Sequence, residues 1–259
     1  MIAQTWRSRP LVLSFVRRQY QLRYRQSLAG FFWAIVPPIA SLLVATLVFH
    51  EVIGVQTGDP NVPYPLFVLA GLVPWSFFTS SVTAGVGSVA SSQTMVTRLA
   101  FPRAIIPLSV VGTGLIDLGI TVLVFIGFLI VTTTGVPITV LWTPVLLAIE
   151  IVFVTGVVLF GSALNVFARD IRLAIPLIMQ LWLFLTPVMY PLSSVPDNLL
   201  PFFLANPMTG LIESFREVII AGNAPDITVL MPAIIGAVLA FALGTWYFGV
   251  TESRFADVI

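Results

Sequence analysis

Apolar residues dominate the chain in six long stretches, roughly 31–53, 64–90, 104–131, 143–168, 173–191 and 226–250. Each approaches or exceeds the ~20 mostly apolar residues that an α-helix needs to cross a bilayer. Several carry proline inside (Pro37, Pro38, Pro74, Pro107, Pro176, Pro187), which membrane helices tolerate where neighbours re-satisfy the freed carbonyls. The pattern changes in three places. Over 11–28, Ser14, Arg17, Arg18, Gln21 and Arg25 share one arc of a helical period. Leu11, Val12, Phe15, Val16, Tyr20, Leu22 and Tyr24 fill most of the rest, which predicts a helix lying in the membrane interface. Arg23 falls on its apolar side, where a long side chain can snorkel to the headgroups. The segment 91–103 is a polar link with room for a short helix. The segment 192–225 is too apolar for a plain loop. There Ser194 and Asp197 have capping-box spacing, Asn206-Pro207 reads as an N-cap followed by Pro at the first helical position, and Gly222 reads as a stop. Two short helices, about 195–205 and 207–221, are predicted to dip back into the outer half of the bilayer. On the second, Glu213, Arg216 and Glu217 have the spacing of a solvated local ion-pair face. The predicted fold class is all-α. A single membrane domain over 1–259 has six transmembrane helices, an N-terminal amphipathic interface helix, and two short re-entrant helices between spans five and six.

The placement of charge orients this arrangement. Arg7, Arg9, Arg17, Arg18, Arg23 and Arg25 precede the first stretch, Arg98 and Arg103 follow the second, Arg169 and Arg172 the fourth, and Arg254 the sixth. With six spans all of these share one side, and only Arg216 is on the other, so both termini are expected in the cytoplasm. The first stretch is too long, and its Arg-rich lead too extended, for a cleavable leader. Composition excludes further classes. Hydrophobic residues make up 58% and charged residues 9%, against about 25% charged in a soluble domain, so a soluble enzyme, a disordered chain and a nucleic-acid binder are ruled out. No Cys is present, which removes disulfides, thiolate nucleophiles and zinc-thiolate sites. All twelve basic residues are Arg. Without Lys the chain has no Walker A loop to hold nucleotide phosphates. A catalytic triad or histidine metal site would rest on His50 alone.

Inside the stretches, small and hydroxyl residues fall in rows. Ser76, Ser80, Ala84, Ser88 and Ser92 recur every fourth residue, with Thr79, Thr83, Gly87 and Ser91 beside them. Ser109, Thr113, Asp117 and Thr121 repeat the pattern on the third stretch. Such rows either line tight helix contacts or form a polar conduit for a hydrophilic substrate, and Asp117, an acid near mid-membrane, favours the second. Gly236, Ala240 and Gly244 read as a close helix contact. Glu150 is expected to reach the headgroups, and His50-Glu51 to cap the outer end of the first span. The acids are scattered and no cluster has metal-ligand spacing. Transporter, channel, scaffold and intramembrane enzyme all remain open on these patterns.

The stretch VRRQYQLRYRQSLAGFFWAIVPPIASLLVATLVF resembles the N-terminal region of ABC-type polysaccharide export permeases. YPLFVLAGLVPWSFFTSSV and LAFPRAIIPLS resemble the family's second span and the approach to its third. LNVFARDIRLAIPLIMQLWLFLTPVMYPLSSVP, followed by NPMTGLIESFREVI, is the most specific match, and the likeness covers about residues 11–250. The resemblance implies export of a polyprenyl-diphosphate-linked glycan such as O-antigen or teichoic acid across a bacterial cytoplasmic membrane. It implies a homodimer with two copies of a separate cytoplasmic ABC ATPase, which would bind Mg-ATP, leaving this chain without a cofactor. It places the interface helix (Arg17, Arg18, Gln21) and the 91–103 link (Arg98, Arg103) against that ATPase, and it sets Arg23, Arg25 and Tyr24 where the lipid diphosphate arrives. Trp33, Trp75, Phe78, Ser80, Asp117 and Tyr190 are the candidates for the translocation pathway, aromatic faces being suited to sugars. The chain departs from the family at Gln19, Ala29-Gly30 and Pro37-Pro38. A drug or lipid exporter of the same superfamily should lack the arginine set. A lipid-glycan transferase would need clustered acids or a metal site.

Overall fold

The computed structural model describes residues 9–24, 35–57, 60, 62–98, 101–132 and 135–258, and every regular element among them is a helix. Helix α1 (Arg9–Tyr24) exposes Ser14, Arg17, Arg18 and Gln21. Its opposite side lies on α6, where Val16 packs over Gly112. The predicted amphipathic helix is thus present as far as Tyr24; residues 25–28 lie outside the described ones. Helix α2 (Val36–Ala45) has Pro37 and Pro38 in its first turn and widens into a π-helix over Thr46–Val52. Helix α3 (Tyr64–Val86) ends at Gly87 and is followed by α4 (Ser88–Ser91) and α5 (Gln93–Arg98), the latter within the predicted 91–103 link. Helix α6 (Ile105–Thr132) leads through a 3-10 turn (Ile138–Trp142) into α7 (Thr143–Phe167). Then come α8 (Ile171–Phe184), the short α9 (Leu200–Leu204), α10 (Pro207–Arg216) with a π-helical extension to Ala221, α11 (Ile227–Thr251) and α12 (Phe255–Val258).

Four of these elements are long and apolar enough to cross a bilayer: α3, α6, α7 with its leading 3-10 turn, and α11. The first and fifth predicted spans are shorter than the sequence pattern suggests. Helix α8 has 14 residues, about 21 Å at 1.5 Å per residue, against a hydrocarbon core of ~30 Å. It stops because Pro187 has no amide to continue the ladder and the Thr186 hydroxyl turns back to the Trp182 carbonyl at 2.9 Å. The first of the two short helices is also shorter than predicted. Ser194 belongs to a 3-10 turn rather than a capping box, and the amides of Leu199 and Leu200 bond to Pro196 O, so the helix starts only at Leu200. The second follows its signals: Asn206 caps it through Met208 N at 3.1 Å, Pro207 opens it, and Gly222, at φ 71°, ends it in the left-handed region.

Helix α7 is central, packing on α3 and α11. Its contact with α11 is backbone to backbone, since a β-carbon at Gly156 would run into Ala240 and Phe241, and one at Gly244 into Gly156. Gly236, predicted in the same row, instead makes room for Pro207 of α10. Glu150 does not reach the headgroups. It shares the inward face of α7 with Leu146 and Val154, is 0% exposed, and neither carboxylate oxygen has a hydrogen-bond partner.

The end of α8 is satisfied by side chains from elsewhere. Tyr190 Oη donates to Phe184 O at 2.6 Å, and Asn206 Nδ2 to Leu185 O at 3.2 Å. Arg216 donates to Pro187 O and Val188 O, both at 2.7 Å, and Tyr64 Oη to Met189 O at 2.6 Å. Arg216 further holds Glu213 at 2.7 Å and Phe67 O at 3.3 Å, and its guanidinium lies 3.6 Å over the Phe67 ring. Gly71 makes room for it, because a β-carbon there would stand 3.0 Å from Nη2. The predicted solvated ion-pair face is therefore overturned: Arg216 is only 5% exposed, since its face of α10 is the one pressed on α3. Glu217 pairs instead with Asn223 at 3.1 Å.

Removing one partner of such a buried network costs about 3–5 kcal/mol. Arg216→Met should lower the thermal unfolding temperature in detergent and open the 185–190 segment to protease. Arg216→Lys should recover only part of the loss, because one ammonium cannot serve four oxygens. An unchanged unfolding temperature for Arg216→Met would refute the clamp.

Candidate functional site

The predicted hydroxyl rows of α3 and α6 face a common cleft. Its first chamber, about 380 Å³, is lined by Gln19 of α1, Ser80, Ser81 and Ala84 of α3, Ser88 and Ser91 of α4, and Val110, Thr113 and Gly114 of α6. A second, about 500 Å³, continues along α3 past Ser76, Thr79 and Thr83 to Trp75, with Asp117 and Thr121 of α6 and Pro37, Pro38 and Ser41 of α2. Ser80 belongs to both. The fourth-residue spacing puts these side chains on one stripe of each helix, which is why sequence rows become cleft walls.

Most of the hydroxyls are committed to their own helix. Ser76 donates to Val73 O at 2.9 Å, Ser80 to Phe77 O at 3.3 Å, Thr113 to Ser109 O at 2.9 Å and Thr121 to Asp117 O at 2.9 Å. Each such oxygen keeps acceptor capacity. Thr79, Ser81 and Ser88 have buried hydroxyls with no partner. Ser81 is partly a packing residue, since a β-carbon on Gly114 would collide with its Oγ. The rows therefore pack helices at some residues and line the cleft at others. Among the described residues no charged side chain lines the first chamber, and Asp117 is the only one lining the second. Among the described residues no group of acids and histidines has the makings of a metal site. The cleft can exchange hydrogen bonds along its length.

Of the predicted pathway residues, Trp75, Ser80 and Asp117 line the cleft. Phe78 does not. It is fully buried, with its ring 5.5 Å from Phe153 and 5.1 Å from Trp182, because its side of α3 faces α7 and α8. Tyr190 belongs to the irregular segment after α8, its hydroxyl engaged by Phe184 and its ring 6.5 Å from Phe203. Arg17, Arg18 and Gln21 form an exposed face of α1, and Arg18 Nη1 lies 3.7 Å from the sulfur of Met95 on α5. The two elements expected to meet a partner thus adjoin. Arg103 is tied inward: its amide donates to Glu252 Oε1 at 2.7 Å and its guanidinium to Glu252 O. Arg23 and Tyr24 close α1 and Arg98 closes α5, but their side chains, and Arg25 and Trp33 entirely, lie outside the described residues. Gln19 and Ser41 were not singled out for the pathway. Gln19 follows Phe15 and Val16 at i+4 and i+3, so helical period alone would have turned it toward α6.

Residues 10–220 match the ABC-2 type transporter family. An O-antigen export system permease, RfbA of Myxococcus xanthus, is 30% identical over 262 aligned residues, covering all of this chain and 99% of the relative. RfbA of Klebsiella pneumoniae is 30% identical over 252 residues, 96% of this chain and 95% of its own. The polysialic acid transport protein KpsM of Escherichia coli is 27% identical over 215 residues, 79% of each chain. With a family match across most of its length, relatives aligned end to end, and four helices fit to span a bilayer, this multi-pass membrane protein belongs to the ABC-2 type transporters.

Proposed function

We propose that this chain is the membrane subunit of an ATP-driven exporter carrying a polyprenyl-diphosphate-linked polysaccharide outward across a bacterial inner membrane. The observation that carries the reading is the cleft. A groove lined by hydroxyls and an amide, with Asp117 the one carboxylate among its described lining residues, suits a substrate made of hydroxyl-rich units, each exchanging weak and replaceable hydrogen bonds. The relatives supply the substrate class: two are named for O-antigen export and the third for polysialic acid transport.

In this reading one membrane domain over 1–259 pairs with a second copy, and the pair carries two ATPase subunits. Six spans follow if α2 with its π-helical end and α8 with the irregular turn behind it complete the crossings that their helices alone do not. Helices α9 and α10 are then re-entrant from the outside, and both termini are cytoplasmic. The adjoining faces of α1 and α5 meet the ATPase, which binds Mg-ATP. Arg23 and Arg25, with Tyr24, receive the diphosphate where α1 gives way to the first span, because a planar guanidinium offers phosphate paired donors.

Deleting the gene in its own cell should strip the surface of polymer and leave lipid-linked polymer trapped inside. Normal surface polymer would reject the reading. Topology has a direct check, since the chain contains no cysteine. A single Cys at Asn223 should react with an impermeant reagent added to intact cells and one at Ser92 should not; reversed labelling would reject the orientation. A charge-assisted hydrogen bond is worth roughly 1.5–3 kcal/mol, or one to two decades of affinity. Arg23→Ala should therefore depress export in an assembled complex, with Arg23→Lys intermediate. Normal export by both would exclude Arg23 from diphosphate recognition.

A further inference from the structure

A cation that the functional reading has not used packs on Gly87, the residue before Ser88 of the first chamber. Arg172 is the second residue of α8 and is exposed. Its stem lies against Gly87: a β-carbon at that glycine would sit 3.0 Å from Arg172 Cδ and 3.6 Å from Nε. Gly87 falls in the row of Thr79, Thr83 and Ser91 and immediately precedes Ser88, which lines the chamber, so the Arg172 stem passes one residue from the chamber wall. Its backbone is anchored, with the amide donating to Oδ1 of the buried Asn165 on α7 at 3.1 Å.

Three further observations point to an anion. Among the described residues the Arg172 guanidinium has neither a hydrogen-bond acceptor nor an ion-pair partner. Ser88 lines the chamber at 5% exposure with its hydroxyl unpartnered; an unmet buried donor is costly unless something fills the site. Among the described residues no carboxylate lines this chamber. The first amides of α8 add nothing, because Ile171 N is taken by Ala168 O, and Leu173 N and Ala174 N by Asp170 O. The donors on offer are the guanidinium and the Ser88 hydroxyl.

We infer that Arg172 and Ser88 form a binding position for the diphosphate of the lipid-linked substrate, holding the headgroup at the near chamber while the hydroxyl-rich glycan occupies the cleft beyond. The inference rests on the exporter reading and adds a site distinct from Arg23 and Arg25. It differs from headgroup anchoring by bilayer lipid, which would need only one positive charge at the interface and no hydroxyl.

The test uses the chain assembled with its ATPase in phosphatidylcholine vesicles, titrated with undecaprenyl diphosphate while hydrolysis is followed. Arg172→Gln should raise the concentration for half-maximal stimulation about ten-fold, the loss of one charge-assisted bond, with Arg172→Lys between. Ser88→Ala should raise it about three-fold while leaving the unfolding temperature unchanged or higher, since it deletes a hydroxyl that bonds to nothing in the chain. Arg254→Gln, which removes the same charge at the same end of the molecule, should leave the titration where it was. If the unaltered complex responds and Arg172→Gln shifts it less than two-fold, the inference fails and the exporter reading stands. If the unaltered complex ignores undecaprenyl diphosphate, the lipid-linked substrate itself is wrong and both fall. A defect of Arg172→Gln confined to vesicles containing phosphatidylglycerol would make the residue a membrane anchor and overturn the site.

Discussion

A helix that stops leaves its last carbonyls without partners of its own, and each one buried bare costs several kcal/mol. Helix α8 stops after 14 residues, and the architecture beyond it is arranged around that deficit. The donors that meet it come from α3 (Tyr64), from the residue capping α10 (Asn206), from the end of α10 (Arg216) and from the irregular segment itself (Tyr190). Asn206 does double duty: its side chain caps α10 through Met208 N, accepts from Trp182 Nε1 at 3.1 Å, and donates both to Leu185 O and to Thr186 Oγ1 at 2.8 Å. Helix α10 is thereby positioned by the same bonds that end α8. Because α3 is also drawn into the network, the opposite side of α3 presents its serine and threonine stripe to the cleft in a fixed orientation.

The cleft shows how one repeat serves two purposes. Fourth-residue spacing of small polar residues lets helices come close, as at Ser81 over Gly114, and leaves hydroxyl oxygens along the parts that do not touch. Self-bonding to the i−3 or i−4 carbonyl keeps these oxygens from being costly while empty. A surface of this kind holds a polar chain loosely, which passage requires: tight and specific contacts would stop it.

Much of this was legible in the sequence. The four long helices fell within a few residues of their hydrophobic stretches, and the Asn206-Pro207 cap and the Gly222 stop stood where local chemistry put them. The failures share a cause. The burial of Arg216, the seclusion of Glu150 and the inward turn of Phe78 all depend on which neighbour a helix face meets; the break at the end of α8 is the exception, marked locally by Pro187. In a chain that is apolar on every side, hydrophobicity no longer marks the inward face. Arg216 misled most, because i, i+3 spacing to Glu213 is common on wet surfaces, and nothing local reveals that three carbonyls from other segments converge on its guanidinium. Ser194 and Asp197 had the spacing of a cap, but Pro196 between them fixed a turn instead.

The meeting of Gly156 with Gly244 constrains how such a protein can move. Where two helices touch main chain to main chain there is no layer of side chains to re-seat, and sliding one past the other would drive backbone into backbone. Helices α7 and α11 therefore behave as a single strut. Any cycle of opening and closing has to work through contacts other than this one, with the strut as the fixed frame against which the remaining helices turn.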